Sequence, residues 1–208
     1  VVQLKEPVNI FNDEAFMVVK EQQAVYGTKK KTTASKADTI AHETKKVITE
    51  RMDEDPAFYE KFSKLIQQAI EDFRSKRISD LDYLNKVVEI RNKVEGKVHD
   101  DIPDKLVGLE DAMAYFGVLK PFLEKHELGD EDLESAAADT AIAIHGILEK
   151  HRKVHFWDDD DAQKQAVNEI DDYLYDELKN ERGIELSLDQ MDDIIEKVMQ
   201  VAKHRNYK

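Results

Sequence analysis

Cysteine is absent from the 208 residues. That excludes a disulfide framework, a zinc finger and a cysteine nucleophile, and it suits a reducing compartment. Proline and glycine are scarce, at 4 and 7 residues, and tryptophan occurs once, at Trp157. No run approaches the roughly 18 apolar residues that a membrane helix needs, and no secretory signal is visible. A cytoplasmic protein without a membrane partner is the default expectation. The opening Val1-Val2-Gln3-Leu4-Lys5, with no Met, suggests a piece of a larger chain.

What is abundant is charge. Charged residues make up 37% of the chain, against roughly 25% in an ordinary domain. Hydrophobic residues reach 41%, too many for a disordered chain. Together these favour well-solvated amphipathic helices. The formal net charge is -14. Residues 1–50 hold eight Lys or Arg and seven Asp or Glu, so the excess of acid lies beyond them. An acidic surface repels the phosphates that nucleic-acid binders neutralise, so direct DNA binding by the bulk of the chain is not expected. Lys29-Lys30-Lys31 with Lys36 is the local basic cluster, and it reads as a solvated loop.

Periodicity predicts helices throughout. Residues 1–11 read as an irregular lead-in, with Val8, Ile10 and Phe11 able to pack. Asn12 is placed to cap a helix from Asp13, which Gly27 ends. GTKKKTTAS at 27–35 has no apolar anchor and is expected to be a mobile loop. From Lys36, Ala37, Ile40, Ala41, Thr44, Val47, Ile48 and Met52 give one stripe. Asp55-Pro56 marks a new start, with proline at the first helical position. Phe58, Phe62, Leu65, Ile66, Ala69, Ile70 and Phe73 follow. Ser79 and Asp82 resemble a capping box, and Gly96 stops the helix they open. Residues 96–108 read as a loop and a possible subdomain break.

The second half continues in the same way. Ala112, Phe116, Leu119 and Leu123 predict a helix that kinks at Pro121 or ends before it. GDEDLE at 129–134 opens the next, with Leu133, Ala137, Thr140, Ile144, Ile147 and Leu148 on its buried face. Asp158 to Asp161 read as a helix N-terminus, where carboxylates meet free N–H groups and the positive dipole end. Val167, Ile170, Leu174 and Leu178 follow. Gly183 sits where a helix end wants positive φ, with Ile184 placed for the accompanying apolar contact. Ser187 and Gln190 form a capping box ahead of Leu188, Met191, Ile194, Ile195, Val198 and Ala202. No segment alternates like a strand. The expectation is an all-α, irregular bundle of about eight helices without significant sheet. It divides into a lead-in with helix and basic loop at 1–35 and a helical domain at 36–208.

Motifs for chemistry are missing from the sequence. There is no G-x-x-x-x-G-K-[ST], no G-x-G-x-x-G and no G-x-S-x-G. His42-Glu43 opens like a zinc-protease helix, but the second histidine position holds Lys46. His151 and His155 are four apart without a nearby third ligand, and read as one surface and one partly packed histidine. His145 lies beside its helix stripe and reads as an interfacial histidine. The Asp158 cluster lacks the glycine and closing Glu of a calcium loop. Glu43-x-Lys45 and Pro103-Asp104 stand in the wrong order for a nuclease. No catalytic, cofactor-binding or metal-binding residue is therefore expected.

Several segments carry a family resemblance. KKVITERMDEDPAFYEKFSKLIQQAIEDFRSKRISDLDYLNKVVEI at 45–90 resembles the C-terminal region of the R subunit of type I restriction enzymes. VNIFNDEAF at 8–16, KADTIAHETKK at 36–46, the Trp157 stretch, NEIDDYLYDEL at 168–178 and GIELSLDQMDDIIEKVMQVAKHR at 183–205 are similar to it in the same order. Residues 109–135, with Pro121 and the LEDAM stretch, depart from the pattern. The resemblance implies a parent that is an ATP-dependent site-specific deoxyribonuclease. Its endonuclease and two translocase domains, with their ATP and Mg, would lie upstream. It implies docking of the R subunit onto the methyltransferase core of M and S subunits, with DNA bound by the parent. A free-standing metal-dependent enzyme built on carboxylates and histidines, or an acidic DNA mimic, are the competing expectations. Exposed aromatics are the usual anchors of an interface. Tyr26, Tyr115, Tyr175 and Tyr207 are the candidates, because they lie off the main stripes.

Overall fold

A computed structural model describes residues 32–126 and 130–206. Over these residues the protein is all-α, with seven α-helices and no strand. They are α1 (Thr33–Glu50), α2 (Pro56–Arg74), α3 (Asp80–Glu95), α4 (Glu110–Leu123), α5 (Asp130–His151), α6 (Asp160–Tyr173) and α7 (Leu188–Asn206). The further helix that the sequence predicts from Asp13 lies outside the described residues, as do the lead-in and the lysine cluster at 29–31. No helix among the described residues is long and apolar enough to cross a membrane.

Side-chain caps set most of the starts. Asp55 Oδ1 accepts the N–H of Phe58 at 3.1 Å, with Pro56 at the first helical position. Ser79 and Asp82 bond reciprocally, completing a capping box. Ser187 Oγ accepts from the N–H of Gln190, and Gln190 Oε1 accepts from the N–H of Ser187. Asp159 accepts from the N–H groups of Asp161 and Ala162. The acidic run at 158–161 is thus a helix N-terminus, as its sequence predicts.

Three local features differ from expectation. α1 begins at Thr33, because Thr32 Oγ1 accepts the N–H of Ser35 at 3.2 Å. Residues 33–35 are therefore helix rather than loop. α4 runs through Pro121 to Leu123. Proline so near the end forfeits one backbone bond, the one that Gly117 would accept, and the helix does not stop before it. α3 ends at Glu95 with Gly96 as its cap, as its sequence predicts, and the left-handed residue that follows is Lys97 (φ 47). Finally, Tyr173 leads into a π-helical segment, Leu174–Glu181. Both Leu174 and Leu178 in this segment are fully buried. Gly183 closes that segment at φ 67, and Ile184 behind it is buried and donates its N–H to Leu178.

The chain divides into two compact units. The smaller takes the described residues to Thr44 with Ile66–Val98. Its core is Ala37, Ile40, Ala41, Ile66, Ala69, Tyr83, Val87 and Val94. The Tyr83 hydroxyl donates to Asp38 at 3.1 Å, and its ring stacks on Phe73 at 4.5 Å. Burial is the first cause that pushes this phenol up to about 12.

The larger unit takes Lys45–Leu65 and the described residues from His99 onwards. One continuous apolar cluster runs through α4, α5, α6, the π segment and α7. Ala136, Ala137, Ala138 and Ala141 are all buried on α5, and side chains this small allow neighbouring helices to approach closely. Leu65 and Leu188, counted in apolar stripes, are exposed instead. Polar ties hold the connection before α4. Lys105 Nζ donates to Asp139 at 2.5 Å, and Arg182 donates to the other oxygen of the same carboxylate at 2.7 Å. Burial raises the Asp139 pKa, but these two bonds outweigh it and leave the carboxyl below its ordinary value.

Three outcomes follow for stability. A Cβ at Gly117 would lie 2.7 Å from the Cβ of Ala57. Gly117→Ala is therefore expected to destabilise by roughly 1–3 kcal/mol, the range for overpacking. Gly146 has open space around it in α5, so Gly146→Ala should stabilise by about 0.5–1 kcal/mol. Urea unfolding midpoints read both signs. Because the folded pKa of Asp139 is depressed, its stabilisation is present above the unfolded value and is lost as pH falls through the folded one. The stability gap between the protein and Asp139→Asn should thus persist at neutral pH and close only below the usual carboxylate range.

Candidate functional site

The second unit presents two places where side chains converge. The first is a charged node. Glu110 and Asp111 occupy the first turn of α4, where carboxylates suit the helix dipole. Arg205, in the last turn of α7, places Nε 2.5 Å from Asp111 Oδ1 and Nη2 3.6 Å from Glu110 Oε2. Its Nη1 donates to the backbone carbonyl of Glu54 at 3.3 Å. From the end of α5, Arg152 reaches Glu149 at 2.6 Å and Asp111 at 3.9 Å. The Arg205 side chain is only 10% exposed.

Asp111, His145 and Glu149 bring one potential ligand atom each to within 4.8 Å of one another. A carboxylate–imidazole–carboxylate set of this kind suits a divalent ion by residue type. Its oxygens, however, are already engaged by Arg152 and Arg205. A unit charge pair at 4 Å is worth about 4 kcal/mol in protein surroundings. At that scale the ion pairs already compensate the carboxylates, so a divalent ion would compete with the two guanidinium groups for the same oxygens. The arrangement is an ion-pair lock between helix ends rather than an open ligand set. Beyond the basic C-terminus of α7 no local pattern signals it, because Asp111 and Arg205 are 94 residues apart.

Histidines elsewhere stay separate. His151 is largely buried and lies 2.7 Å from Glu169, whereas His155 is 79% exposed at φ 67. One packed and one surface histidine is what their sequence context predicts. Their side chains meet different carboxylates, Glu169 and Asp158. Hydrogen bonds from Lys150 and then His151 hold Glu169 below the ordinary glutamate range.

The second place is a groove of about 620 Å³ between α6 and α7. Trp157, Val167, Ile195 and Met199 supply its apolar lining. Asp160, Lys164, Asp192, Glu196 and Lys203 supply its charged rim. The lining positions recur three and four residues apart on both helices, so each wall is a helical stripe beside the buried one. Trp157, Val167 and Met199 are half-buried, packed against the core on one side and facing the groove on the other. This second stripe was legible in principle, but half-buried positions look like ordinary boundary residues until both helices are placed.

The four tyrosines fare differently. Tyr115 is 1% exposed and sits under the charged node, and burial raises its phenol. It cannot serve as an exposed anchor, since α4 turns it into the core that its spacing off the main stripe appeared to avoid. Tyr175 is 44% exposed, with the Lys179 ammonium 5.1 Å from its ring centroid. Tyr26 and Tyr207 lie outside the described residues. No family model, curated protein or solved structure matches this chain.

The lock makes a direct prediction. Arg205→Ala strips a buried partner from Asp111 and should destabilise the protein by about 3 kcal/mol. Arg205→Lys, which keeps charge but loses the planar fork, should fall between. Denaturant unfolding measures both, and equal stability of all three proteins would contradict the lock.

Proposed function

We propose that this chain is a non-catalytic assembly module: the C-terminal helical domain of the R subunit of a cytoplasmic type I restriction enzyme. In this reading it docks the motor and nuclease subunit onto the M and S methyltransferase core. The parent would be the ATP-dependent deoxyribonuclease, with its catalytic domains and their ATP and Mg elsewhere in the longer chain.

The observation that carries the reading is the α6–α7 groove. Trp157 and Asp160 in its lining belong to the Trp157 stretch, Asn168 to 168–178, and Asp192, Ile195, Glu196, Met199, Gln200 and Lys203 to 183–205, all segments that bear the resemblance. A half-buried tryptophan and methionine in a rigid helical trough are residue types enriched where proteins meet. Packed helices also present such side chains with little ordering cost on binding. The charged node supports the same reading, because Arg152 and Arg205 pair with the Asp111 and Glu149 carboxylates that a metal-dependent enzyme would need open.

The test is association with a purified M and S complex. The chain is expected to co-elute with that complex on size exclusion and to compete with the intact R subunit for it. Failure to associate, under conditions where the intact R subunit does, would overturn the assembly reading. Zinc or manganese held stoichiometrically after dialysis would favour the metal-enzyme alternative instead.

A further inference from the structure

The groove also limits what kind of partner segment fits it, a step that rests on the assembly reading and deepens it. We propose that the groove between α6 and α7 seats a cationic amphipathic helix of the partner complex.

Three features of the surface lead there. First, the groove has helical walls on both sides and an apolar lining of Trp157, Val167, Ile195 and Met199. A third helix packs naturally into the trough between two others, ridge into groove, at an interaxial distance of about 8–10 Å. Second, the surrounding segment is strongly acidic. Residues 157–206 hold fifteen Asp and Glu against six Lys and Arg, a net charge of -9 in the stretch that builds both walls. Third, the rim retains unneutralised acid. Among the described residues neither Asp160 nor Asp192 has an ion-pair partner, and Glu196 accepts only a neutral amide from Gln200.

Position adds detail. Asp192 and Glu196 lie one turn apart on α7 and Asp160 stands on α6, with Lys164 one turn beyond Asp160 and Lys203 two turns beyond Glu196. The occupant would turn Leu-like side chains onto Trp157 and Met199. Its Lys or Arg would face Asp192 and Glu196. An acidic or purely polar helix would meet like charge over most of its length. The field of this segment would also speed the encounter with a basic partner.

Trp157 is the sole tryptophan, so its fluorescence reports the groove directly. The probe is an 18-residue helical peptide of Leu and Lys, with Leu at helix-stripe spacing and no tryptophan. A counterpart carries Glu in place of every Lys. The Lys peptide is expected to shift Trp157 emission to shorter wavelength saturably, and the Glu peptide to bind at least about tenfold more weakly. The surface double variant Asp192→Lys/Glu196→Lys should weaken the Lys peptide about tenfold without altering the unfolding midpoint. No shift with the Lys peptide, equal binding of both peptides, or full binding by the double variant would overturn the proposal. So would an emission shift that depends on protein concentration alone, because a second copy would then be the occupant.

The same variant separates this inference from the assembly reading. If the chain joins the M and S complex and the double variant joins equally well, the groove proposal falls and assembly stands. If the Lys peptide binds as described but the M and S complex is not recognised, assembly falls and the groove remains a site for basic helices.

Discussion

The ion pair between Arg205 and Asp111 closes the larger unit. It joins the last turn of α7 to the first turn of α4, and the same guanidinium takes the carbonyl of Glu54 just ahead of α2. Three stretches far apart in sequence are thereby held at one point, at a side chain that is 10% exposed. Isolated ion pairs on open surfaces contribute little. This one is shielded, shared among several acceptors and flanked by Arg152, so breaking it leaves a carboxylate without its counterion in a poorly solvated place. With α7 fixed at this end, its buried face can meet α4 and α6, and its outer stripe becomes one wall of the groove.

Local chemistry was the part most legible in the sequence. Asp55-Pro56, Ser79 with Asp82, Ser187 with Gln190 and Gly183 with Ile184 each name an atom-level interaction within a few residues, and the structure contains all four. Apolar periodicity located the helices for the same reason, since one face must be buried. Misreadings arose where a distant neighbour decides. Pro121 was expected to kink α4 or to end it, and of these the helix does not end there: the loss of a single bond near a helix end leaves the buried Phe122 and Leu123 within it. Tyr115 looked peripheral to its own stripe but is enclosed by other elements. The Asp111–Arg205 pair and the groove depend on packing between elements, and no local pattern encodes that.

These two features also divide the labour. The charged node uses its arginines to satisfy its own carboxylates, so its chemistry is spent internally on holding helix ends together. The α6–α7 face does the opposite: it leaves a tryptophan, a valine and a methionine half-covered and several carboxylates without counterions. A surface that is apolar at the floor and acidic around it gains by acquiring a complementary neighbour. If the proposed assembly role holds, acidic helices of this kind would not compete with a neighbouring DNA motor for the duplex.

Hydrogen–deuterium exchange of the chain, alone and mixed with a purified M and S complex, tests the assembly account most directly. The account predicts slowed exchange concentrated in α6 and α7, including the Trp157 turn, with α1 and α3 unchanged. Exchange that is identical with and without the complex, at concentrations where the intact R subunit is bound, would contradict it.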